Sequence, residues 1–307
     1  MLILNPQHYY LLEQEWWGVL IAFYLFLGGL GAMTFCVTFY YWRRGASKKF
    51  TAIGSLLGVI AVFIGTLALV FDLEHPEKFY LVLLSPNLNL FSWIVVGSAL
   101  LSAFLVLAVA FGAPMFKWFE WLPWGKNERA LSLIGWLAFI TGIGVAAYTG
   151  ILIAVVYNIP FWNAPALPLI FMISALSTGL ASIILALLIL KVDESEKITH
   201  EMAKADGFVM IAELTAILIF LLIRSYGPVG AIEAVHMILF GWLSPYFVGG
   251  VLLMGLAIPL MLIFGYEVRR PGVKPVTMIS AIFVLIGGAL LRYVVLEAGI
   301  LQIPCCP

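Results

Sequence analysis

Charge is what this sequence has least of. Only 10% of its 307 residues are Asp, Glu, Lys or Arg, while 64% are apolar, and the mean hydropathy is +1.10. A water-soluble fold of this length cannot cover its surface with so few charges, so lipid must be the outer solvent. Net charge is zero, which excludes the basic surface that nucleic acid needs. Histidine is equally scarce. The four present, His8, His75, His200 and His236, all fall outside the apolar runs, whereas a transmembrane haem needs two axial ligands inside spans; no haem is expected. Three cysteines hold no metal pattern: Cys36 stands alone in an apolar run, and Cys305 and Cys306 are adjacent, which suits neither zinc nor an iron–sulfur cluster. No metal site is expected in this chain. The start, with Glu13 and Glu15 and no basic stretch, lacks a cleavable-signal pattern.

What is present is apolar length. Eight runs suffice to cross the hydrocarbon core as helices, at about 16–42, 50–72, 89–112, 130–157, 166–191, 206–224, 245–268 and 275–297. Backbone groups in lipid must bond within their own segment, and alternating strands are absent, so the expected fold is an all-α integral membrane protein with eight transmembrane helices. The basic residues set its direction. Loops after the first, third, fifth and seventh spans carry Arg43, Arg44, Lys48 and Lys49; Lys117, Lys126 and Arg129; Lys191, Lys197 and Lys204; and Arg269, Arg270 and Lys274. That places 13 of the 16 Lys and Arg on one side, leaving Lys78, Arg224 and Arg292, and predicts both termini outside. Trp16, Trp17, Trp93 and Trp162 fall at the outer boundary, and Trp42, Trp118, Trp121 and Trp124 at the inner one. Gly28, Gly29, Gly31 and Ala32 allow close helix packing.

Polar chemistry gathers in the outer connections: Asp72-Leu-Glu-His-Pro-Glu-Lys-Phe79, Ser85-Pro-Asn-Leu-Asn89, Tyr157 to Pro165, and the link 225–244, where a short surface helix is expected with Glu233 and His236 on one face. Ionisable residues within spans are costly and often functional. Glu213 reads as about two turns into the sixth span from the inner side, in a proton-handling or ion-pair role. Asp72 and Glu74 end the second span, and Glu74 has Lys78 as a candidate partner. Arg224 and Arg292, near outer ends, either snorkel to lipid phosphate or serve a site. Tyr148 sits about 13 Å below Tyr157 along the fourth span, beside the small residues Gly142, Gly144, Ala146 and Ala147. A phenol at that depth needs a hydrogen-bond partner. Pro259 is the one clear interruption of a span, and no internal repeat is visible, which speaks against a secondary transporter.

Several segments resemble a known family: Tyr24-Leu-Phe-Leu-Gly-Gly-Leu-Gly-Ala32, His75-Pro-Glu-Lys-Phe79, Ser85-Pro-Asn87 with Ser92-Trp93, Tyr148-Thr-Gly150, Pro160-Phe-Trp-Asn-Ala-Pro165 and Leu291-Arg-Tyr-Val294 occur in this order. Together they resemble the polysulfide reductase / NrfD-type membrane subunits over nearly the whole chain. The resemblance implies one membrane domain, 1–307, built as two four-helix bundles (helices 1–4, about 16–157; helices 5–8, about 166–297). It implies a quinone-reactive anchor in the cytoplasmic membrane, oxidising menaquinol or reducing quinone near the outer face. The partners implied are a ferredoxin-like iron–sulfur subunit and a molybdopterin catalytic subunit beyond it. Tyr148 matches the family's quinone-site tyrosine and Glu74 the carboxylate before the loop proline; the family's first-span Asn and His find no match at Leu20 to Phe23. Tyr148, Glu74, His75 and Asp72 are thus the expected catalytic groups. Tyr148, Trp93, Phe23 and Arg292 are the expected quinone pocket, and Glu213 with Arg224 the expected proton path. The alternatives are a transporter, or a passive anchor without its own quinone site.

Overall fold

The computed structural model describes residues 3–5, 9–84, 92–192, 195–267 and 274–304. The Ser85–Asn89 motif, His8, Arg269, Arg270, Cys305 and Cys306 lie outside them. Helices α1 (Val19–Arg43), α2 (Lys48–Phe71), α4 (Trp93–Gly112), α5 (Glu128–Ala154), α6 (Ala166–Ile189), α7 (Ser195–Ser225) and α10 (Lys274–Glu297) cross the molecule. The seventh crossing, Pro245–Gly265, is wound as a wide π-helix over Pro245–Ala257 and Ile263–Glu267, with the short α9 (Ile258–Leu262) between. Pro259 lacks the N–H that would reach the Gly255 carbonyl, and its ring crowds that carbonyl, so regular α-winding is disfavoured there. Two short helices lie between crossings, α3 (Leu81–Leu84) and α8 (Val229–Phe240). All eight crossing helices are long and apolar enough to span a bilayer, so the chain is a multi-pass membrane protein.

Side-chain caps set two starts at the face carrying the basic loops, here the basic face. Ser47 Oγ accepts from the Phe50 N–H at the head of α2, and Asn127 Oδ1 from the Arg129 and Ala130 N–H groups at the head of α5. Across that face Lys48 donates to Glu120 at 2.6 Å, and Arg44 pairs with Glu201.

α1 is central, touching α2, α5, α6 and α10. Its glycines explain why. A Cβ on Gly31 would lie 2.6 Å from the Gly58 carbonyl oxygen, so α1 and α2 meet backbone to backbone. Gly255 and Gly287 do the same for the seventh crossing and α10.

Two features were not legible in the apolar runs. The sixth crossing begins at Ser195 rather than near 206, because the polar segment before the apolar run continues the helix. Glu213 is therefore about five turns from the start of α7, while it stays about two turns into the apolar run. The chain ends also form a sheet. β1 (Ile3–Asn5), β2 (Tyr9–Glu13) and β3 (Ile300–Pro304) pair antiparallel in that order, with Tyr9 opposite Pro304 and Glu13 opposite Ile300. The sheet lies at the end opposite the basic loops, here the terminal face. The Gln302 N–H donates to the Asn158 carbonyl, and Gln302 Oε1 accepts from the Gly230 N–H. The 157–165 loop and α8 are thereby tied to β3.

Candidate functional site

Tyr148 is in the last two turns of α5, 3% exposed. Its ring lies directly against α4: a Cβ on Gly97 would sit 1.8 Å from Tyr148 Cζ and 2.2 Å from its hydroxyl. Only glycine leaves room for that ring. Trp93, one turn before Gly97 on the same face of α4, is half-exposed at the helix start. Tyr24 of α1 is the second phenol here. It is fully buried, close enough to Tyr148 to interact electrostatically, and its hydroxyl has no hydrogen-bond partner among the described residues. Burying an unsatisfied hydroxyl costs about 1–3 kcal/mol. Thr149, beside Tyr148, donates to the Ala146 carbonyl at 2.7 Å.

A second polar group fills the space between α6, α7 and α10. Arg292 is 0% exposed. Its Nη1 donates to Ser174 Oγ and, at 3.0 Å, to the Gly288 carbonyl; Nη2 donates to the Phe171 carbonyl at 3.1 Å, and the guanidinium stacks over the Phe171 ring. The snorkelling reading of Arg292 is thus overturned, because the side chain turns inward to backbone carbonyls rather than out to phosphate. Glu213, 4% exposed, lies within interaction range of Ser174 and Arg292. One residue that the apolar pattern did not single out completes this line. Asp206, 2% exposed, accepts from Ser177 Oγ at 2.7 Å. Asp206 and Glu213 are seven apart on α7, hence on one face about 10 Å apart along the axis, and Ser174 and Ser177 match them on α6. That spacing was the available signal; Asp206 lay at the very limit of the expected span.

The two groups meet at one glycine. A Cβ on Gly29 would lie 3.8 Å from Arg292 Nη2 and 3.9 Å from Thr149 Oγ1. A line of buried polar groups thus runs from Asp206 through Glu213 and Arg292 to the residue next to Tyr148.

The remaining expected residues are placed differently. Asp72 caps the C-terminus of α2, its N–H donating to the Ala68 carbonyl; burial pushes its carboxyl above the ordinary aspartate value. Glu74 and His75 are exposed in the following loop. His75 Nδ1 faces Glu77 at 3.3 Å, and among the described residues Glu74 forms no ion pair with Lys78. Phe23 is 45% exposed on the flank of α1, next to the buried Tyr24. Arg224 does not join Glu213; its Nη2 donates to the Asn163 carbonyl at 2.7 Å, over the Phe220 ring. That bond ties α7 to the 157–165 loop. In the same loop Trp162 donates to the Val295 carbonyl at 2.7 Å and stacks on Trp17, centroids 5.3 Å apart. His200, left in a loop by the apolar pattern, lies in the first turns of α7. α8 is the expected surface helix, with His236 exposed and Glu233 half-buried on it. A largely apolar groove of about 610 Å³ opens on the flank, lined by residues such as Phe26, Leu30, Ile60 and Ile286; the Ser182 hydroxyl on its wall is spent on Thr34 and the Gly179 carbonyl.

Comparison with known proteins gives a consistent set of relatives. The family model described as "Polysulphide reductase, NrfD" matches residues 5–304. The sequence is 29% identical to the NrfD homolog of Haemophilus influenzae, with 94% of this protein and 95% of that one covered. It is also 29% identical to one of the polypeptides of polysulfide reductase from Wolinella succinogenes, over 92% and 94% respectively. A shorter match, 26% identical over 54% of this protein and 46% of the other, is to one of the subunits of selenate reductase from Mesobacillus selenatarsenatis.

Proposed function

Because the chain belongs to the polysulphide reductase, NrfD family, we propose that it is the quinone-reactive membrane subunit of a respiratory oxidoreductase complex. That it is a membrane subunit of an oxidoreductase follows from the family; the quinone chemistry, its side and its partners are our reading. The observation that carries it is Tyr148, a phenol buried under the terminal face, its ring seated on Gly97 of α4. In this reading the terminal face is the outer face, since 13 of the 16 Lys and Arg lie on the other side.

The reaction is quinol ⇌ quinone + 2H⁺ + 2e⁻. Electrons pass to or from an iron–sulfur subunit docked on the terminal face, over the sheet, α8 and the 157–165 loop, with a molybdopterin catalytic subunit beyond it. Tyr148 hydrogen-bonds a quinone oxygen, and Trp93 borders the entrance. Asp72, whose raised carboxyl is better matched to neutral pH than an ordinary aspartate, exchanges protons with water beside Glu74 and His75. The buried line Asp206–Glu213–Arg292 supplies a second route, from the basic face. Ionisable groups at this depth are costly to bury, and those that pair in a line inside the bundle mark proton or ion pathways.

The test is Tyr148→Phe in the purified complex. Quinol-linked turnover should fall at least about tenfold, as loss of a hydrogen bond to an oxygen that gains charge in the reaction, about 1.5–3 kcal/mol, predicts, with subunit composition unchanged. Normal turnover in an intact complex would overturn the assignment.

A further inference from the structure

We propose that the hydroxyl of Tyr24 is a second hydrogen-bonding group for the quinone headgroup, sharing it with Tyr148. The proposal rests on the quinone reading above and assigns a partner to an atom which the fold leaves without one.

Tyr24 is wholly buried on α1, and its hydroxyl finds no partner among the described residues. The threonines of these helices spend their hydroxyls locally, although Ser55 of α2, like Tyr24, has no partner among the described residues. Thr34 donates to the Leu30 carbonyl, Thr38 to Thr34, Thr66 to Val62 and Thr149 to Ala146. Tyr24 has no such outlet, because a phenol extends too far from its own backbone to bond back to it. Packing does not require the oxygen either. Phe26, Phe35 and Phe39 fill other aromatic positions of α1, and phenylalanine at 24 would pack without an orphaned polar atom. The ring edge lies over Gly28, one turn on: a Cβ there would make ordinary contact, 3.5 Å from Tyr24 Cε2 and 3.7 Å from the Thr149 methyl. The hydroxyl is thus buried near Tyr148, with Gly28 and the Thr149 methyl beside its ring.

A para-quinone headgroup suits this pair. Each carbonyl accepts a hydrogen bond, and each hydroxyl of the quinol can donate one. A phenol does both, so Tyr24 can hold the oxidised headgroup as donor and the reduced one as acceptor.

The experiment uses the purified complex with its partner subunits and measures the dissociation constant of a short-chain naphthoquinone by fluorescence quenching. Tyr24→Phe should weaken binding about 3- to 10-fold, the range for one neutral hydrogen bond. Tyr148→Phe, measured alongside, separates the two claims. Weakening by Tyr148→Phe alone overturns the role of Tyr24, whereas no effect of either overturns the quinone site itself. A carbonyl-labelled naphthoquinone adds a readout that packing would not move. Its carbonyl stretch should rise on Tyr24→Phe, and an unchanged frequency would refute the contact even if the variant complex binds more weakly.

Discussion

Gly97→Ala is a one-carbon change aimed at Tyr148 from the neighbouring helix. The added Cβ would stand 1.8 Å from Tyr148 Cζ and 2.2 Å from its oxygen. Carbon atoms in contact sit about 3.5–4.0 Å apart, so the ring must retreat by about 2 Å or the helices must part. Overpacking of this kind costs about 1–3 kcal/mol of stability. The functional loss should be larger. A hydrogen-bonding atom displaced by 1 Å can cost a factor of about 100 in rate, so turnover in Gly97→Ala should approach that of Tyr148→Phe. The assay is steady-state quinol oxidation by the intact complex, with thermal unfolding followed in parallel. Gly249→Ala in the seventh crossing is the control, since a Cβ there meets nothing within 4 Å. Wild-type turnover and quinone affinity in Gly97→Ala would refute the placement of Tyr148 against α4, and with it the geometry proposed for the site.

The buried line on α6, α7 and α10 makes a separate prediction. Asp206→Asn and Glu213→Gln should each lower the number of protons moved across the membrane per electron, measured in proteoliposomes with a pH-sensitive dye; an unchanged ratio in both would remove the line from proton transfer. At the basic face, the Lys48 ammonium, 2.6 Å away, holds the Glu120 carboxyl below its ordinary value of 4.5. A lowered carboxylate contributes stability above its unfolded pKa and loses it as pH falls through the folded one. The loop bearing Trp118 and Trp121 should therefore loosen only below about pH 4.5, seen as a change in tryptophan fluorescence. A transition of the same midpoint in Lys48→Met would show that the pair does not hold the loop.

The eight crossings were legible because lipid demands length and apolarity, and those are properties of short windows. Seven of the eight expected segments agree with the helices to within about four residues. The start of α7 was not legible, since a helix that projects past the apolar layer has no reason to stop where hydropathy does. The orientation of Arg292 was not legible for another reason. Depth along α10 was readable, but its direction depends on carbonyls of α6, a helix about 120 residues away. The terminal sheet was hidden by the same distance: β2 finds β3 across almost the entire sequence. Tyr148 stood out by its motif, whereas the unpartnered hydroxyl of Tyr24 depends on how separate helices pack, which no short window of sequence displays.

That sheet has a consequence for how the molecule is made. The β2 strand emerges first, yet its partner β3 follows the last crossing, and Gln14 waits for the carbonyl of Gly299. The terminal face can close only after α10 is threaded through the bilayer. Until then the 157–165 loop and α8 lack the strand they are tied to, so a partner that reads this face meets a finished surface only on a fully inserted protein. The sheet is thus a clasp fastened last, and the docking surface proposed above is complete only when the membrane subunit is.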